Sequence, residues 1–160
     1  MYKVSNKEDE TIKIIFSQGF NPDEIEEITE SFSKIMPVEK RHFATDSVSI
    51  DGVVKAVLII VLIGQGFFKE IGSDLYRTVK EKVIRIFKTK QNPTLIFQMS
   101  YKGTKILVEC QTNDERELSE VFDTIDKARD IAIRKLDKKE TPEMRIYYDN
   151  GWILDSEENL

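Results

Sequence analysis

Residues 53–72 read VVKAVLIIVLIGQGFFKEIG, and no other stretch limits the fold of this chain so strongly. An almost unbroken apolar run has to leave water. It can do so as a buried strand, a core helix or a membrane segment, and apolarity alone does not choose between them. A fourth use, as a strand feeding a phosphate loop, fails on spacing. Gly64-Gln65-Gly66 is followed by Phe67, Phe68 and Lys69, so lysine holds the place where a dinucleotide fingerprint needs its third glycine. The Walker pattern is missing from the sequence as well, and no nucleotide cofactor is expected.

The membrane reading rests on residues 52–68, which reach the short limit of about 17 residues for a span. Basic residues from Lys69 onward suit a cytoplasmic flank. Topology opposes a crossing. It would strand one β-α unit, residues 1–50, on the far side from the remaining strands, too little chain to bury a core. The expected state is therefore one α+β domain over residues 1–160, with residues 52–68 as its central hydrophobic segment.

Around that segment the elements declare themselves through periodicity and punctuation. Ile12, Ile14 and Phe16 alternate as in a strand. Asn21, Pro22 and Glu24 then open a helix with a capping box, and Ile25, Ile28, Phe32 and Ile35 form its apolar stripe up to Pro37. Residues 39–51 are ambiguous, with a short strand expected over FATDSVSI. A basic amphipathic helix is expected over residues 73–90. TLIFQMS and TKILVECQ read as a hairpin turning at Tyr101-Lys102-Gly103. Asp114 caps a long helix, EMRIYYD is a further strand, and Asn150-Gly151 turns the chain back through Trp152. The result is an antiparallel or mixed sheet covered by helices, made of two β-α units and a C-terminal ββαβ layer. TIKIIFSQGFNPDEIEEI and TKILVECQTNDERELSEV echo each other, which shared capping grammar explains more simply than duplication.

The formal net charge of −5 conceals a gradient. Residues 1–50 and 104–160 are acidic, whereas residues 51–103 are basic and enclose the hydrophobic run. Lys69, Arg77, Lys80, Lys82, Arg85 and Lys88 are accordingly the candidates for contact with an anionic surface. Those cations can equally face the protein's own acidic helices. Net acidity and the lack of interleaved aromatic residues set nucleic acid aside as a partner.

Catalytic signals are sparse. His42 is the sole histidine and has no carboxylate beside it to orient it; Cys110, the sole cysteine, alternates in phase with Ile106 and Val108 as a small core residue. One cysteine makes neither a disulfide nor a multi-cysteine metal cage, and it suits a reducing cytosol. The carboxylates Glu120, Asp123, Asp126 and Asp130 recur at helical spacing, the pattern of a solvated face rather than a metal site. No secretory signal is expected from the polar N-terminus. These features point to a non-catalytic cytoplasmic interaction protein with a protein partner or a second copy of itself, and Phe67, Phe68 and Trp152 as interface candidates. A membrane-associated tether using residues 52–90 is the alternative, followed by an enzyme whose site the sequence does not display.

Overall fold

A computed structural model describes residues 11–34, 37–42, 55–62 and 73–155, apart from the side chains of Ser73, Leu75 and Asp155. The fold is α+β. In chain order the described elements are β1 (Ile12–Phe16), α1 (Pro22–Ser33), β2 (Val38–His42), β3 (Val57–Val61), α2 (Ser73–Phe87), β4 (Thr94–Tyr101), β5 (Thr104–Gln111), α3 (Glu115–Lys138), β6 (Glu143–Tyr148) and β7 (Trp152–Asp155). All seven strands form one mixed sheet in the order β2-β1-β3-β4-β5-β6-β7.

The hydrophobic run is resolved in favour of a strand over its described part. β3 lies inside the sheet, antiparallel to β1 and parallel to β4. Among the described residues no helix is long and apolar enough to cross a membrane. The strand expected over residues 43–50 lies outside the described residues. A strand missing from the sequence reading, β2, runs beside β1 as an edge. Its sequence VEKRH carries almost no apolar signal, because an edge strand shielded by charge has little to bury.

Alternation along the strands sends one set of side chains under the helices. Ile12, Ile14, Leu58, Ile60, Leu95, Phe97, Ile106, Val108 and Ile146 are each at most 1% exposed and belong to a single core. The helices meet that face with their own stripes: Ile25, Ile28 and Phe32 from α1, Val79, Val83 and Phe87 from α2, and Leu118, Val121, Phe122 and Ile125 from α3. Aromatic contacts join the layers. Phe97 of β4 meets Phe122 of α3 edge-on at 5.5 Å, and Phe20 packs against Phe87 at 5.7 Å. α2 ends at Phe87, three residues before the expected boundary, where Thr89 Oγ1 donates to the Ile86 carbonyl at 2.7 Å.

Three consecutive β-α-β units thus pair their strands in parallel, β1 with β2, β3 with β4 and β5 with β6. Antiparallel pairings join one unit to the next, and β7 folds back on β6. Strands β1, β2, β5 and β6 therefore run one way, and β3, β4 and β7 the other. With the three described helices on one face, the first two crossovers share a hand and the third has the opposite one. Parallel crossovers are right-handed in about 98% of cases, so this sheet contains a departure from that rule. A simple duplication would carry its hand with it. The echo between residues 11–28 and 104–121 accordingly fits shared capping chemistry better than a repeat.

Candidate interaction surfaces

The helix layer explains the charge gradient. Basic α2 lies between acidic α1 and α3, whose first half is acidic, and its cations bridge to both. Lys80 Nζ stands 2.8 Å from Asp123 Oδ1 and Lys88 Nζ 3.1 Å from Glu115 Oε2, both on α3. Toward α1, Arg85 pairs with Glu27, and Lys82 Nζ donates to the Glu27 carbonyl at 3.2 Å. Lys90, just past the helix, reaches Glu24 Oε1 at 2.6 Å and lies over the Phe20 ring. Arg77 is exposed. Five of the basic side chains in and just beyond α2 therefore have partners within the fold. Lys69, Phe67 and Phe68 lie outside the described residues.

Trp152 faces the helices. Its Nε1 donates to Thr124 Oγ1 at 2.9 Å, and its ring meets Tyr148 edge-on at 5.3 Å. Tyr148 donates its hydroxyl to Glu120 Oε2 at 2.7 Å, a bond that pushes the phenol up to about 12. Together these bonds pin the β6–β7 hairpin to α3. His42 packs edge-on against Phe16 at 5.2 Å. Cys110 is buried, and burial pushes its thiol up to about 12, so it is an unreactive core residue at neutral pH.

Between α2 and α3 an open cleft of about 570 Å³ is lined by Lys80, Glu81, Glu115, Glu120 and Asp123 among others. Three of these four carboxylates are already engaged: Asp123 by Lys80, Glu115 by Lys88 and Glu120 by Tyr148. Among the described residues no group of three His, Cys, Asp or Glu side chains is placed to hold a metal ion.

The other face of the sheet carries no described helix. Register orders it into two cross-strand rows. One runs Arg41, Ile15, Ile59, Ile96, Glu109, Tyr147; the other runs Glu39, Lys13, Val61, Gln98, Leu107, Arg145. The rows lie about 7 Å apart along the strands, two residues at strand rise. Ile15, Ile59 and Ile96 are adjacent, with Val61 and Leu107 on the second row, and all five are only partly buried. Tyr147 and Ile153 at the far side are 40% and 37% exposed. Charge of both signs borders this aliphatic patch, with Arg41 Nε on Glu39 Oε1 at 2.9 Å and Arg145 Nε on Glu143 Oε2 at 3.3 Å.

Sequence reasoning did not single out this patch, although its signal was there. β3 is apolar at all five positions and β1 at four of five. A strand covered on one side only needs apolar residues at every second position, so such strands have apolar side chains to spare on the second face. Comparison with known proteins finds no matching family model, no matching curated protein and no matching solved structure.

Proposed function

We propose that this chain is a non-catalytic interaction module of the cytoplasm, a subunit of a larger assembly that docks through the open face of its sheet. The observation that carries this reading is the contiguous Ile15–Ile59–Ile96 row, with Val61 and Leu107 beside it, on the face opposite the helices. Contiguous apolar patches on one face of a soluble domain mark places where another surface comes to rest. The sequence places the same excess of apolar residues at the centre of the sheet. A sole buried thiol suits a reducing compartment. The tether reading draws less support, because it wants the cations in and just beyond α2 available for headgroups, and four of those six are in ion pairs with α1 and α3.

A cysteine placed on the patch tests this reading, since Cys110 stays silent in the folded chain. Full-length Ile96→Cys is labelled with a maleimide as dilute purified protein and in crude extract of the expressing cells. Lys127→Cys, on the exposed side of α3, serves as the control. The expected result is rapid labelling of the dilute protein and strong protection of Ile96→Cys alone in extract. Equal labelling in both settings overturns the proposal.

A further inference from the structure

We infer that the surface which comes to rest on the open face is the open face of a second copy of this chain. This deepens the proposed function and rests on it, because it names the partner for the same patch. The support is a self-complementary register, which sets one opposite-charge pair and an aliphatic pair face to face and opposes no like charges. Consider a two-fold axis lying in the plane between two facing sheets, running across the strands midway between the two rows. The first row of each copy then lies over the second row of the other. Arg41 meets Glu39 of the second copy, and Ile59 meets Val61. Ile96 lies over Gln98, Glu109 over Leu107 and Tyr147 over Arg145, and Ile15 covers the aliphatic stem of Lys13. Every contact occurs twice, as an isologous interface requires. Like charges never face each other in this arrangement.

The contacts have suitable chemistry. Ile59 on Val61 is dry aliphatic packing of the kind that fills sheet sandwiches about 10 Å thick. Arg145 over the Tyr147 ring is a cation–π pair, and Tyr147 is exposed enough to receive it. Arg41 is exposed, Glu39 is half-buried, and the two are already paired within the chain, so the same two groups can exchange partners across the interface at little desolvation cost. A strongly acidic or basic foreign partner would meet both signs interleaved and gain little from either. The chain's net charge of −5 opposes the pairing only at long range, where salt screens it.

Two measurements on the full-length protein decide the matter. The first follows maleimide labelling of purified Ile96→Cys, and the sedimentation mass, from nanomolar to high micromolar concentration. The second compares Arg41→Glu, Glu39→Arg and the double swap. The expected result is protection that grows with concentration alongside a shift to twice the chain mass. Each single swap should weaken self-association by about five- to tenfold, in line with exposed ion pairs broken twice by symmetry. The double swap should restore it, since opposite charges would again face each other across the axis. Circular dichroism of each swap confirms that the fold is kept. A chain that stays monomeric throughout, yet is protected in extract, overturns the second-copy inference and leaves the docking reading standing. Labelling that is equal everywhere removes both. Self-association that the single swaps weaken and the double swap fails to restore overturns the two-row registration.

Discussion

Thr94 opens β4 with only 3% of its surface exposed, and its Oγ1 has no hydrogen-bond partner among the described residues. A buried hydroxyl that gave up water without replacing it lowers stability by about 1–3 kcal/mol. Thr94→Val keeps the branched shape and removes the orphaned group. It should therefore raise stability by about 1 kcal/mol in urea unfolding, whereas most core substitutions lower it. Tyr148 supplies a pH signature. Its phenol is held near 12 in the fold by the bond to Glu120, against an ordinary value near 10 once unfolded. The folded state keeps the proton longer, so the stabilisation is complete below about pH 10 and is lost as pH rises toward 12. A phenolate absorbance titration should show one late-titrating group near 12 that Tyr148→Phe removes. Tyr76, whose burial beside Asp123 raises it further, should remain. The role of Cys110 was legible from strand alternation alone. The contact between His42 and Phe16 was not, because it depends on an edge strand with no apolar pattern.

At the scale of elements, the helix starts were the most legible features, since capping is local chemistry. Asn21 Oδ1 accepts from Glu24 N, and Glu24 Oε1 accepts from Asn21 N, both at 2.9 Å. Asp114 Oδ1 accepts from Glu117 N at 3.0 Å to open α3. Asn21→Ala should cost about 1 kcal/mol, read as a lowered midpoint in thermal unfolding. The strand identity of the hydrophobic run was not legible. An uninterrupted apolar segment satisfies strand and helix periods alike, and neighbours distant in sequence decide between them. Here β1 and β4 are those neighbours, and hydrogen bonds to both leave β3 no freedom to coil into a helix. The aliphatic residues Val57, Ile59 and Val61 could not be assigned to a second face until that identity was known.

Across the whole molecule, the charge gradient along the sequence becomes an arrangement in space, one basic helix held between acidic α1 and the acidic first half of α3. The long-range partners that decide it, such as Lys80 with Asp123 and Lys90 with Glu24, stand 43 and 66 residues apart, beyond any local pattern. The reversed hand of the third crossover is equally silent in the sequence, because handedness belongs to a path and not to a composition. The hairpin between β4 and β5 has a consequence of its own. The described elements before it build β2-β1-β3-β4 beneath α1 and α2, and those after it build β5-β6-β7 beneath α3. The covalent chain passes between these halves once, at Lys102-Gly103, a turn with both residues at positive φ. A single cut there would leave two fragments still registered by eight cross-strand residue pairs, two ring contacts and the ion pairs of Lys80 and Lys88 with α3. The protein can thus be understood as a host and a guest joined by a tether, each half completing a surface that the other leaves unfinished.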